Sequence, residues 1–393
     1  MTKPRIVVAG LGDSGLLTAI HLSRAAEVVG IGTKPGMVSG QELGLRLARP
    51  DYWARHHRVD FDRYRKLDRV RTVHGAVTDL DLAGRTISYK DADGTTGTEP
   101  YDVLVISTGV TNGFWRRPDL QSAAEVDQVL KSAHETLAAA ASIAVVGGGA
   151  AAVGTALNLA VTWPDKRVEL FFPGEHALPL HHGRVWSTVR KQLLDLGVGI
   201  NPGHRAVIPT GFDLDGITED PIEWSTGQSP ASMDAVVWAV GRVRPNSDWL
   251  PAELLDDNGY VTVTPDLRVP GHPGVFAIGD IAATDPLRTS ARNRADKMLA
   301  KNVLAHLKGE TLSSYKPARR RWGSVVGTQA DGLTVYAPNG RGFRFPSWSV
   351  ESILQALIVR RGIYGGIRRT TPTRANRRRS HDHLRSHHLE RPQ

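Results

Sequence analysis

The sequence predicts an α/β fold in which two parallel-sheet units of one design are nested, the second inserted into the first, with a small α+β region behind them. Three observations carry this expectation. An apolar strand runs into Gly10, Gly12 and Gly15, spaced G-x-G-x-x-G, and a helix follows. The pattern returns after residues 143–146 with Gly147, Gly149 and, in the third glycine's place, Ala152. A third apolar strand, 275–278, ends in Gly279-Asp280.

Each loop residue has a physical task. The first glycine permits a tight strand-to-helix turn, and the second lets backbone approach a pyrophosphate. The third lets the helix pack closely on the strand. The helix N-terminus then offers free N–H groups and a positive dipole end to phosphates. One such loop is a weak signal, since a glycine turn also occurs in cores that bind nothing. Two loops followed by Gly-Val-Phe-Ala-Ile-Gly-Asp point to two Rossmann-like dinucleotide-binding domains. Candidate cofactor-binding residues are therefore Gly10, Gly12, Asp13, Ser14 and Gly15 in the first unit. In the second they are Gly147, Gly149, Ala150 and Ala151, and the strand exits add Thr108, Gly109, Gly241, Gly279 and Asp280.

The elements follow in order. Residues 6–8 form the first strand and its helix begins at Leu16; 28–31 form the second strand. Residues 86–90 and 95 onward read as a hairpin turning at Asp93-Gly94. The strand at 101–107 exits through Thr108-Gly109, and the strand at 234–240 exits in the same way through Gly241. That likeness marks two related units. The expected division is 1–112 for the first domain, 113–241 for the inserted domain and 242–310 for the return. A C-terminal region at 311–367 and a disordered basic tail at 368–393 follow. A helix is expected from about Ser290 to Leu307, with Ser290 and Ala291 at its start as further cofactor candidates.

Composition narrows the chemistry. The 393 residues are 40% hydrophobic and 23% charged, which suits two or three domains with substantial cores. Cysteine is absent, which excludes a thiol redox centre, a disulfide framework and a cysteine-ligated cluster. The chain enters its first strand at once, leaving no room for a signal peptide, and no run of 18 apolar residues occurs. A cytoplasmic protein is expected. Of the net charge of +9, the last 26 residues hold most, with eight arginines against Asp382 and Glu390.

The order of glycine loop, Ser-Thr-Gly, second glycine loop, Ala-Val-Gly and Gly-Asp resembles the two-dinucleotide-binding-domain flavoproteins over about residues 4–310. Within that group the chain looks most like the type II NADH dehydrogenases and the apoptosis-inducing-factor-like quinone reductases. The resemblance implies FAD in the first domain and NADH or NADPH in the second. It also implies hydride transfer to the flavin, then electron transfer to a quinone or similar acceptor. Asp280 matches the aspartate that binds the ribityl and pyrophosphate region of FAD. The chain departs from the family at four places, one of them the helix start 289–294, where type II dehydrogenases carry an Ala-Gln pair for quinone and this chain reads Thr-Ser-Ala-Arg-Asn-Arg. The acid that often bonds the adenosine ribose is missing at 30–34, where Thr33 and Lys34 are the candidates. In the nicotinamide domain the matching acid, Glu175, comes late. A glutamate that many relatives carry near the flavin is replaced by Gly154.

At 347–361, Val350, Ile353, Leu354, Leu357 and Ile358 follow the i, i+3, i+4, i+7, i+8 spacing of an amphipathic α-helix. Its apolar face would pack on the FAD domain or a twin subunit, or lie on a membrane with the basic tail drawn to anionic lipid. In the last case the enzyme would sit at the inner face of the membrane. The arginine-rich tail is read as solvated, with no specific nucleic-acid partner and no metal site at its histidines. His56-His57 and His181-His182 are read as surface or packing residues.

The resulting expectation is an NAD(P)H-dependent FAD oxidoreductase whose partners are NAD(P)H and a quinone or small redox protein. A reductase of a small iron–sulfur protein, and a redox-sensing flavoprotein with a lipid- or nucleic-acid-binding tail, are the alternatives. No catalytic side chain is named, because hydride transfer between nicotinamide and flavin needs no general base.

Overall fold

The computed structural model describes residues 3–38, 42–111, 117–241, 243–284, 295–317 and 323–368. Two sheets organise it. The larger has seven strands in the order Val275–Ala277, Val103–Ile106, Arg5–Ala9, Glu27–Gly32, Val70–Asp81, Thr86–Asp91, Thr96–Pro100. The first five run parallel and the last two fold back antiparallel. The second sheet has five strands in the order Gly199–Asn201, Arg167–Phe171, Ser142–Val146, Ala235–Trp238, Ile217–Thr218. Its first four are parallel.

The central strands are unbroken apolar runs because both faces are covered, as parallel sheets require. Ile6, Val7, Val8 and Ala9 are fully buried, as are Ile143, Ala144 and Val145. The two sheets repeat one register: Ala9 lies opposite Ile31 and Ile106, and Val146 opposite Phe171 and Trp238. The helices Asp13–Leu22 and Ala150–Thr162 follow the two glycine loops. The mixed α/β architecture with large parallel sheets is the one the sequence predicts. The chain leaves the larger sheet after Ile106, builds the second, and returns to pair Val275–Ala277 beside Val103–Ile106. Outgoing and returning segments pair antiparallel at Val110–Thr111 and Arg244–Pro245.

The hairpin forms as expected, with Gly94 at a positive φ of 85° in its turn. Of the expected helix over 290–307 the described part is Ala295–Leu307; Ser290 and Ala291 lie outside the described residues. So do residues 369–393 of the expected tail. Arg368, assigned to that tail by composition, is engaged: its side chain pairs with Asp68 and its N–H donates to the Arg63 carbonyl at 2.8 Å.

The C-terminal segment corrects one expectation. After a three-stranded sheet of Thr328–Gln329, Gly332–Tyr336 and Gly342–Pro346, the chain turns through Ser347–Ser349 into a π-helix, Val350–Ile363. A π-helix closes i→i+5 bonds, so its turn is wider than the 3.6 residues on which the predicted stripe rests. Val350 is buried and Leu354 and Val359 are half-buried, whereas Ile353, Leu357 and Ile358 are exposed. The five apolar residues thus divide between two faces.

Candidate functional site

A cavity of about 300 Å³ lies at the carboxyl ends of the strands of the larger sheet. Its walls bring together ten of the predicted residues: Gly10, Gly12, Asp13, Ser14, Thr33, Lys34, Thr108, Gly109, Gly279 and Asp280. Gly15 stands behind them. A Cβ there would collide with the Gly10 carbonyl and approach the Ser107 hydroxyl, so its task is helix-to-strand contact. Gly10 has φ of 100° and leaves no room for a side chain against the Ser107 backbone. Gly12 differs from both. Its φ of −72° suits any residue and a Cβ would meet nothing within 4 Å, so its missing side chain leaves space open in the cavity. That is the cradle a dinucleotide's pyrophosphate requires at a helix N-terminus.

Hydrogen bonds fix the opposite wall. Ser107 Oγ donates to the Ala9 and Gly10 carbonyls at 3.0 and 2.7 Å, tying the strand exit to the loop. Thr108 Oγ1 donates to the Asn246 carbonyl at 2.8 Å, and Asn246 Nδ2 donates back to the Thr108 carbonyl at 3.0 Å. Asn246, Asp248 and Trp249 of the returning segment line the cavity beside Arg117 and Pro118 of the outgoing one. Sequence reasoning missed these five. No motif marks them, because their place depends on how the two crossings fold over the glycine loop.

Lys34 closes one end. Its Nζ donates to the Arg117 carbonyl at 2.8 Å, to the Asp119 carbonyl at 3.0 Å and to Thr33 Oγ1 at 3.2 Å. Burial pulls its pKa from 10.5 to about 8, with the Asp119 carboxylate opposing and the Arg117 guanidinium adding to the fall. Arg117 in turn pairs with Asp215 of the inserted unit.

The second loop repeats the first in another place. Gly147, at φ of 143°, admits no Cβ against the Ala239 carbonyl, and Gly149 faces open space. Ala150 and Ala151 start the helix. Gly241 takes the positive φ at the strand exit, 74° against 69° at Gly109. The Leu178 N–H donates to the Gly148 carbonyl at 2.7 Å, seating the turn after Phe172 against this loop. Phe172 is buried and Glu175 exposed, so no carboxylate stands at the strand end itself. Gly147, Gly149, Ala150, Ala151 and Gly241 do not line the first cavity.

Two of the predicted histidines have structural partners. His182 accepts a bond from the Arg184 N–H and caps the helix Gly183–Asp195. His56 bonds the Tyr52 carbonyl at 2.8 Å and meets Glu351 at 2.9 Å. Among the described residues, no group of acidic and histidine side chains is arranged to hold a metal. No helix there is long and apolar enough to cross a membrane.

Residues 4–303 match the family described as pyridine nucleotide-disulphide oxidoreductase, and the chain belongs to that family. It is 31% identical over 300 residues to the oxidoreductase ptaL of Pestalotiopsis fici, covering 74% of this chain and 76% of that one. It is 25% identical over 299 residues to the type II NADH:quinone oxidoreductase Ndh of Mycobacterium tuberculosis, covering 64% of this chain and 62% of the relative. The fold matches that of a water-forming NADH oxidase from Lactobacillus brevis, solved with NADH bound. That match has a TM-score of 0.60 and 17% identity, over 84% of this chain and 74% of the other. The protein is an NAD(P)H-dependent FAD oxidoreductase.

Proposed function

We propose that this member of the pyridine nucleotide-disulphide oxidoreductase family holds FAD in the cavity of the larger sheet, binds NAD(P)H at the second glycine loop and delivers electrons to a quinone. The observation that carries the reading is the cavity itself. Gly12 leaves an open cradle at a helix N-terminus, and Asp280, Thr108 and Lys34 line the same space.

In this reading the N–H groups of the first helix turn bind the cofactor's diphosphate, and Asp280 accepts from its ribityl hydroxyls. Lys34 meets its adenosine end as a cation where the family often places an acid. Gly147, Gly149, Ala150 and Ala151 hold the diphosphate of NAD(P)H. When bound, FAD supplies the hydride-accepting and electron-donating chemistry. The protein's part is orientation and exclusion of water. The domain division at 112, 241 and 310 belongs to the same proposal.

The quinone acceptor is supported by what the chain lacks and by a relative. With no cysteine, electrons cannot pass to a thiol pair as the family's description implies for its disulphide reductases. The mycobacterial relative carries a quinone in its name. The exposed apolar residues Trp348, Ile353, Leu357 and Ile358, with Arg360 and Arg361 beside them, offer a face for anionic lipid, where quinones reside. Anaerobic reduction by NADH or NADPH, followed by reoxidation with a short-chain quinone or with a ferredoxin, tests the acceptor. Rapid turnover with quinone is expected. Rapid turnover with ferredoxin alone would replace this reading by that of an iron–sulfur-protein reductase.

A further inference from the structure

The segment leaving the first unit walls one end of its cavity without a core of its own. Residues 117–121 form no helix or strand, and none of the five is buried. Arg117 and Pro118 nevertheless line the cavity. Such a segment keeps its place through polar contacts, and backbone without buried apolar support is what opens most readily.

Some of its ties are local. Lys34 Nζ donates to the Arg117 and Asp119 carbonyls at 2.8 and 3.0 Å and to Thr33 Oγ1 at 3.2 Å. An ammonium has three donors, so all are engaged, and Lys34 reaches a ligand by its charge. The Gln121 N–H donates to the Thr33 carbonyl at 2.9 Å, and His74 Nε2 bonds the Gln121 carbonyl at 3.0 Å. Next to it Ser122 caps the helix Ala123–Ala139. Thr33 and Lys34 stand where the second strand ends, which in a dinucleotide-binding sheet is the adenosine end of the ligand.

The remaining tie comes from the other unit. Arg117 pairs with the Asp215 carboxylate, and its guanidinium also donates to the Asp215 carbonyl at 3.3 Å. Asp215 follows Leu214, a non-glycine residue at a positive φ of 59°. A branched side chain is strained in that region. Leu214 holds the conformation because it is buried in the apolar cluster of Phe171, Trp224 and Trp238. The core of the inserted unit thus fixes the turn from which Asp215 reaches Arg117.

We infer that Asp215 is a positioning residue of the flavin site: from the inserted unit it clamps the 117–121 segment over the adenosine end of the cavity, and FAD enters and leaves as that clamp opens. This rests on the reading that FAD occupies the first cavity. A clamp of this kind changes the rates of uptake and release in the same direction. A contact that only stabilises the bound cofactor changes release and leaves uptake alone.

Uptake of FAD by flavin-depleted protein and release from the holoprotein on dilution, both followed by free-flavin fluorescence, read the two rates. D215A should raise both roughly twofold to fivefold, the size of a partly exposed ion pair. D215E, which keeps the charge, should exchange FAD as wild type does. R117C/D215C places the only two thiols in the chain at the clamp, where a short bis-maleimide can join them. Joining should slow both rates roughly tenfold or more against the same protein unlinked, as a closed lid does. Linked protein that exchanges FAD at the unlinked rate overturns the inference. So does D215A if it speeds release alone or changes neither rate. A wild-type protein that carries no FAD, or whose FAD survives G12V, overturns the site reading instead.

Discussion

Gly44 stands directly on the backbone of Gly154: a Cβ on Gly44 would lie 2.5 Å from the Gly154 carbonyl oxygen and 2.6 Å from Thr155 Cα. The helices Leu43–Ala48 and Ala150–Thr162 thus cross through two glycines, joining the two units. A Cβ on Gly154 would lie 2.5 Å from the Val325 carbonyl oxygen, on another side of the same contact. Asn158 locks the layer, donating to the Gly154 and Val326 carbonyls at 2.7 and 2.9 Å. The residue that replaces the family glutamate is accordingly a close-packing position.

Restoring that glutamate should therefore damage packing. Gly154→Glu is expected to lower stability by about 1–3 kcal/mol through overpacking against Val325. Thermal unfolding of the variant checks this, and an unchanged melting temperature would contradict the packing assignment.

Gly12 and Gly10 should respond differently to a side chain. Gly12→Val places its branches in open cavity at an ordinary φ, so FAD content should vanish while the fold persists. Gly10→Val strains a φ of 100° and collides with Ser107, so the protein itself should unfold at lower temperature. Flavin absorbance per protein and circular dichroism separate the two outcomes.

The second loop yields an independent prediction. Gly149→Val should raise the KM for NAD(P)H roughly tenfold or more, by blocking close approach of the diphosphate, and leave flavin content unchanged. Loss of flavin in this variant would show that the two loops do not serve separate ligands.

Lys34 sets a pH dependence. Its folded pKa of about 8 lies below the ordinary 10.5, so between those values the unfolded chain binds more protons than the folded one. This group's contribution to stability therefore rises with pH across that window. Its ammonium is lost in the same direction, so FAD affinity should weaken above about pH 8. Lys34→Met should abolish that pH dependence in a fluorescence titration of FAD.

The C-terminal helix divides its apolar residues, and mutation should expose the division. Leu357 and Ile358 are 52% and 47% exposed. Replacing both by Glu should abolish salt-sensitive sedimentation with anionic vesicles and leave flavin content intact. Leu354→Glu, on the half-buried side, should instead lower the melting temperature. Equal vesicle binding by wild type and the double variant would remove the membrane role.

Local chemistry made most of the frame legible. Glycine spacing, apolar strand runs and the Gly279-Asp280 exit are short-range signals, each enforced by sterics within a few residues of the chain. They located both parallel units and ten residues that line one cavity. The capping box of Ser122 and Glu125, which starts the helix Ala123–Ala139, is equally legible in the sequence.

What only tertiary structure decided are the contacts between distant segments. Arg117 and Asn246 carry no motif and reach the cavity because outgoing and returning crossings pair across the first sheet. The π-pitch of 350–363 overrode a sequence spacing that fits an α-helix, since helix registry follows packing as well as periodicity. Tyr364 meets Tyr64 only because the chain returns to the first unit after the C-terminal sheet. Such contacts depend on long-range closure, for which the local sequence holds no steric record, and so the glycine loops foretell where a dinucleotide would lie but not which distant side chains surround it.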